Sequence, residues 1–324
     1  GTLLTFTLKT TAGNIDVPGT VALNTANTIA TFTPTAVALL ANTSYTATIT
    51  TAAKNSGSVT AMPKAVVWSF TTRATSAANQ ANPFVGQAPI DLLTAGNFVI
   101  LAQTAITDVP SSVITGDIGL SSAAGSNIFV SCAEMAGSSK IYAVDAGYAV
   151  TGFAACAMPG PGANKTLVDN AVADKGTAYT EAAGRTIPDA ANLGAGDMSG
   201  LTFYPGLYKW TTPVSINTDV TLDAQGDTNA VWIFQIAGDL TVASAGSVPL
   251  GKKIILTNGA KASNIFWQVA ASSFGATINA YATFNGVVMS SAQVIANTGA
   301  VVNGRMFAAT QVVLQQNPVT QPAP

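Results

Sequence analysis

Near its end the chain writes one unit twice. Asn285-Gly-Val-Val-Met289 is answered by Asn303-Gly-Arg-Met-Phe307, and Gln293-Val-Ile295 by Gln311-Val-Val313, each pair offset by 18 residues, 303 against 285 and 311 against 293. Apolar runs this short, broken by Asn-Gly and Thr-Gly, leave no room for helical hairpins. They fit strands that coil into a parallel β-solenoid, each coil burying its face against the next. The same reading extends back to Ile90 through Asn97–Thr107, Ser112–Leu120, Val214–Ile216, Val220–Leu222, Val231–Ile236, Leu240–Val242, Lys253–Leu256 and Ile265–Val269. Residues 1–72 instead alternate apolar and polar positions in Leu4-Thr-Phe6-Thr-Leu8, Ile29–Thr33, Tyr45–Ile49 and Val66–Phe70, with turn signals at Gly13-Asn14, Pro18-Gly19 and Asn55-Ser56-Gly57. That pattern predicts an antiparallel β-sandwich. Residues 73–89, small, polar and proline-containing, read as a linker.

One helix breaks the β pattern. Leu167, Val168, Ala171, Val172, Tyr179 and Ala182 recur at three- and four-residue steps over 165–183, with Asn164 placed to cap the start and Gly184 to end it. A single apolar stripe predicts that it lies along a sheet. Residues 121–161, rich in Gly, Ala and Ser, read as an irregular insertion that covers an open end of the stack.

Composition narrows the function classes. Charged residues are 9% of the 324, hydrophobic ones 48%, and mean hydropathy is +0.38, yet no stretch reaches the roughly 18 apolar residues of a membrane span. Membrane insertion is not expected. A formal net charge of −2 and a pI near 4.9 give no footprint for nucleic acid. Histidine is absent, so classical triads and imidazole metal sites are excluded. Parallel β-helices also host polysaccharide lyases and hydrolases, which need paired carboxylates or calcium. No Asp or Glu follows Asp239, and the two glutamates, Glu134 and Glu181, lie in the insertion and the helix. Asp219, Asp223 and Asp227 could suggest calcium, but turn capping suits their spacing better. No catalytic residue, metal or cofactor is expected. Cys132 and Cys156 suggest one disulfide in an oxidising compartment, against the alternative of two free buried thiols.

Two resemblances add to this reading. Leu40–Ile49 and Trp68-Ser-Phe70-Thr-Thr72 resemble bacterial Ig-like domains of secreted and cell-surface proteins, with this copy N-terminally incomplete and hence part of a larger protein. Gly96–Thr107, Ile114–Gly119, Tyr204–Trp210, Val231–Thr241 and Asn264–Gln268 closely resemble microbial ice-binding proteins, in the same order from about 90 to 320. That resemblance implies a mainly β fold: a right-handed, three-faced parallel β-solenoid, wound out of sequential order, with a flanking helix and a capping insertion that carries the cysteines. It also implies a secreted or cell-surface location and adsorption to ice through one flat face, which inhibits ice growth and recrystallisation. The chain is taken as a monomer.

The family's ice face often carries Thr-Ala/Gly-X-Thr/Asn, and Thr104-Ala-Ile-Thr107 matches it in full. Thr212-Pro-Val-Ser215, Gly238-Asp-Leu-Thr241, Ala292-Gln-Val-Ile295 and Thr310-Gln-Val-Val313 align beneath it in weaker form. The candidate ice-binding residues are therefore Thr104, Thr107, Thr212, Ser215, Thr241 and Thr310, for each of which strand propensity is the plainer explanation. The rival function is an adhesin or carbohydrate-binding solenoid, which needs Trp210, Trp232, Trp267 and Tyr281 at the surface.

Overall fold

The computed structural model describes residues 5–23, 30–35, 39–40, 43–53, 62–72, 87–148, 156–244, 252–271 and 273–323. The chain forms two compact units, Gly1–Pro83 and Phe84–Pro324. The turn expected at Asn55-Ser56-Gly57 and most of the linker, 73–86, lie outside the described residues.

In the first unit the alternating runs become an antiparallel sheet, Phe6–Thr10 beside Ser44–Ile49 beside Val66–Thr71, and a ribbon of Gly19–Leu23 with Ala30–Pro34. Leu8, Tyr45 and Ala47 form its small core, and Phe6 meets Phe32 of the ribbon with ring centroids 5.6 Å apart.

Every named strand pair of the second unit is parallel. Consecutive strands pass from one sheet to the next and return one rung further on. Gly206–Trp210, Val214–Ile216 and Val220–Asp223 are followed by Trp232–Ile236, Leu240–Val242 and Ile254–Thr257, which pair with them in turn. The 18-residue repeat is this return: Thr283 to Ser290 lie opposite Val301 to Ala308, and Val294 opposite Val312. The winding is not sequential, because Phe98–Ala102 sits between Val301–Ala308 and Asp117–Leu120.

Side chains facing inward from these rungs make a dry core. Its aromatic part stacks Phe234 on Trp267 with centroids 4.0 Å apart and sets Phe203 edge-on to Tyr208 and Phe234. Trp210, Trp232 and Trp267 are fully buried, and each indole N–H donates to a backbone carbonyl, of Leu193, Phe203 and Asn285 respectively. Fully burying each large side chain stabilises by about 1.5–3 kcal/mol, and pairing the N–H avoids the cost of an orphaned donor.

The helix runs Ala163–Gly184 and covers the outer face of the largest sheet. Val168, Ala171, Val172, Ala178 and Ala182 pack against Phe98, Leu101, Leu207, Ile233, Phe266 and Phe307. The approach is close: at Gly119 a Cβ would lie 2.7 Å from Val168 Cγ2. Three details differ from the sequence reading. The helix begins two residues earlier, with Gly162 at the cap position, so Asn164 lies inside it and donates to the Pro159 carbonyl instead. Leu167 is exposed, while Lys175 is buried in the stripe with Nζ donating to the Ala308 carbonyl; burial lowers its pKa to about 8. At the far end Gln235 Nε2 donates to the Ala182 and Arg185 carbonyls, so the sheet itself satisfies the end of the helix.

The insertion is more regular than its composition predicts. Ile141–Ala143 and Ala157–Met158 extend the largest sheet, and Cys132 and Cys156 are joined in a disulfide with Cα atoms 5.8 Å apart. Period two on Ala105–Val109 sends Ile106 and Asp108 inward, and Asp108 is a carboxyl where neighbouring rungs place Leu314. Glu134 of the insertion meets it. Ser112 donates to Asp108 Oδ1 at 2.7 Å, Ser131 N–H donates to Glu134, and buried Asp108 Oδ2 has no other donor. Two carboxyls in contact without a donor require a proton between them, and burial, reinforced by Glu134, raises the Asp108 pKa to about 7.

The folded pKa of Asp108 lies above its unfolded value of 3.8, so this contribution to stability is full below that value and is lost as pH rises through about 7. Asp108→Asn, which keeps a donor there at every pH, should flatten the fall in Tm between pH 4 and 8 relative to the wild type; an identical slope in both proteins would refute the shared proton. Reducing the disulfide, whose cysteines are 24 residues apart, should cost about 3 kcal/mol, or roughly 6–12 °C in Tm, measured by calorimetry with and without reductant.

Candidate functional site

The helix hides one sheet, which leaves two sheets of the second unit with an open outer side. The larger of these orders Val214–Ile216, Leu240–Val242, Ala276–Ile278, Val294–Ala296, Gln311–Gln315 and Ala105–Val109. In each strand the residues on either side of the centre are buried, apart from Asp108, and the central one faces out. Register therefore sets Ser215, Thr241, Thr277, Ile295, Val313 and Thr107 side by side in one row. With strands about 4.8 Å apart, the row is roughly 24 Å long.

A second row lies three residues earlier, at the corner where the chain enters each strand: Thr212, Gly238, Phe274, Ala292, Thr310 and Thr104. The Thr104 N–H donates to the Thr310 carbonyl at 3.0 Å and the Thr310 N–H to the Ala292 carbonyl at 3.2 Å, which fixes neighbouring rungs of this row. All six predicted site residues thus fall on one surface, Thr107, Ser215 and Thr241 in the central row and Thr104, Thr212 and Thr310 in the corner row. Sequence reasoning missed Thr277. The spacing of Phe274-Gly-Ala-Thr277 matches the other four-residue units, but the bulky first residue masks it.

Amide ladders tie the rungs together at the edges of the central row. Gln311 Nε2 donates to Gln293 Oε1 at 2.8 Å on one side, and Asn297 Nδ2 to Asn279 Oδ1 at 2.9 Å on the other. At one end of the central row the exposed Asp197 bridges to Ser215 and accepts the Ser199 N–H at 2.9 Å, and beside the row lies Asp239. Its Oδ1 accepts the backbone N–H groups of Ser273, Phe274 and Gly275 at 3.1, 3.1 and 2.9 Å. The other open sheet differs in charge: Asp219, Asp223 and Lys253 lie on and around Thr202, Thr221 and Ile255. Asp223 and Asp227 accept backbone N–H groups two residues on and so cap turns, while Asp219 accepts the Lys253 N–H and ties its rung to the next. No metal-binding group of His, Cys, Asp or Glu occurs among the described residues.

Such a surface has little chemistry and much order: methyl and hydroxyl groups at fixed intervals, nearly uncharged, on a backbone that cannot move independently. Burial of Trp210, Trp232 and Trp267 removes three of the four rings a sugar platform would need. Residues 100–320 match the family model described as ice-binding-like. The chain belongs to the ice-binding-like family. It is 41% identical to an ice-binding protein of a Colwellia species over 73% of this chain and 85% of that one. It is 40% identical to one of Leucosporidium over 72% and 84%. A glycosylated ice-binding protein from an Arctic yeast shares the fold with a TM-score of 0.62 at 35% identity, over 74% of this chain and 96% of that one. Shewanella frigidimarina ice-binding protein 1 gives 0.60 at 32%, over 74% and 99%. Residues 2–72 match the model of a bacterial Ig-like domain.

Close stacking of neighbouring rungs on this face depends on Gly275, which has φ +77° and whose added Cβ would lie 2.1 Å from the Gln293 carbonyl oxygen of the next rung. Gly275→Ala should cost at least about 1–2 kcal/mol and lower Tm by several degrees; an unchanged melting curve would show that the rungs can part there.

Proposed function

We propose that this protein adsorbs to ice through the outer face of the six-stranded sheet and thereby inhibits ice growth and recrystallisation. The observation that carries the reading is the unbroken row from Ser215 to Thr107, in register across every rung. Strand spacing lies close to repeats in the ice lattice, and parallel stacking keeps a sheet flat where open sheets twist. Threonine methyls leave neighbouring water weakly bound to protein, while hydroxyls anchor it. Substitution by Ile295 and Val313 keeps the row flat but removes anchors from its middle.

The wider picture follows from this. The three stacked sheets are the faces of a right-handed parallel β-solenoid spanning 90–324, with 121–161 as its cap, joined through 73–89 to an Ig-like sandwich that acts as a spacer. The protein works without catalysis or cofactor, as a secreted or cell-surface monomer whose partner is the crystal. No helix among the described residues is long and apolar enough to cross a membrane.

Thermal hysteresis with crystal shaping, measured on the whole chain, tests the reading. A freezing gap with faceted crystals is expected; round crystals and no gap would leave a shared fold without the activity. Thr107→Tyr should remove most of the gap while stability stays within about 0.5 kcal/mol of the wild type. Full activity in that variant would move the site to another face.

A further inference from the structure

One side chain stands out from the corner row. Phe274 occupies the position that Thr212, Thr310 and Thr104 hold on their own rungs, and 64% of it is exposed. Its neighbours in the row, Gly238 and Ala292, are too small to level the surface around it. Nor can the backbone withdraw the ring. Asp239 gathers the N–H groups of Ser273, Phe274 and Gly275, and the chain turns at once through the left-handed Gly275 against the Gln293 carbonyl. The ring is therefore held up by a rigid loop.

We propose that Phe274 limits the ice contact of this face, holding the lattice away from the rungs of Thr277, Thr241 and Ser215 and confining close contact to those of Thr107, Val313 and Ile295. This rests on the ice-adsorption reading above. A crystal surface is rigid and cannot dimple to admit a ring as a protein partner would, so one tall group on a flat face tilts the whole contact. The ring also lacks the hydroxyl that threonine offers at that position. The same loop brings the Asp239 carboxylate to the same place, and a charge orients water against a lattice. Both effects act on the third rung of six, where a tilt separates half the row.

The test is a cycle of variants assayed for thermal hysteresis at equal concentration, each with Tm checked against the wild type. Phe274→Thr is expected to raise the freezing gap at least twofold. Combining Thr277→Tyr with Phe274→Thr should abolish the gain, and the loss Thr277→Tyr causes should be larger in the Phe274→Thr chain than in the wild-type chain; such coupling is what a cycle detects. Activity of Phe274→Thr equal to or below the wild type overturns the inference, the first outcome placing the ring outside the contact and the second making it part of the contact. A loss from Thr277→Tyr as large in the wild-type chain as in the Phe274→Thr chain also overturns it. Absence of ice shaping by the wild-type chain would instead overturn the adsorption reading, and this inference with it, so the two failures are distinct.

Discussion

Everything in the second unit depends on parallel strands stacking in exact register. Because side chains alternate with period two, a slip of one residue would exchange the buried and exposed sets on every rung. Three things pin the register. The core rows fit only one way, with Val214, Leu240, Ala276, Val294 and Val312 stacked inward. Amide side chains bond like to like one rung apart, as Asn303 does to Asn285 at 2.9 Å and Gln311 to Gln293. Tight glycines remove room for error, as where a Cβ on Gly304 would lie 1.8 Å from the Gly286 carbonyl. The outer row is a consequence of the inner ones, since a residue held between two core positions has no freedom to leave the line.

This explains which parts were legible in the sequence. The 18-residue interval is the register itself, so it could be read directly from Asn285 against Asn303 and Gln293 against Gln311. Where rungs differ in length, the interval is lost: Ser215 to Thr241 and Thr241 to Thr277 are joined by longer excursions, and Thr277 escaped notice beneath Phe274 and Gly275. The helix was visible from its stripe, but its start was not. Gly162 enters it from a left-handed conformation with no side-chain cap, so no residue type marks the boundary. Lys175 was absent from the predicted stripe for a related reason, since only the position of the Ala308 carbonyl makes a buried cation acceptable there. The strands Ile141–Ala143 and Ala157–Met158 are too short to carry a pattern, and only the waiting edge of Asp117–Leu120 organises them.

Stacks of parallel strands have a general weakness at their ends, where unpaired N–H and C=O groups invite another chain. Here both ends of the largest sheet taper to two-residue strands, Ala190–Ala191 and Ala157–Met158. At the end next to Thr107 the disulfide-bonded segment packs against the core, with Ile128 bridged to Ile106 and Met135 to Ile114. The carboxyl pair of Asp108 and Glu134 belongs to this contact. An acid at a core position is costly alone, and the insertion supplies the partner that allows it to stay uncharged.

The composition follows from the same geometry. A globular protein ordinarily keeps charge on its surface for solubility, and 9% charged residues would be a hazard on most folds. In this unit one sheet is covered by the helix and another carries much of the charge as turn caps, which leaves the six-stranded face nearly uncharged without leaving it greasy. Amides locked into ladders and hydroxyls held in register present polarity without the freedom to reorganise water around each group separately. An ordinary partner protein would gain little from such a surface, because Phe274 is the one aromatic side chain in its two rows. A periodic solid would instead match repeats along the rungs it reaches, and that selectivity comes from the spacing of the backbone rather than from any single side chain.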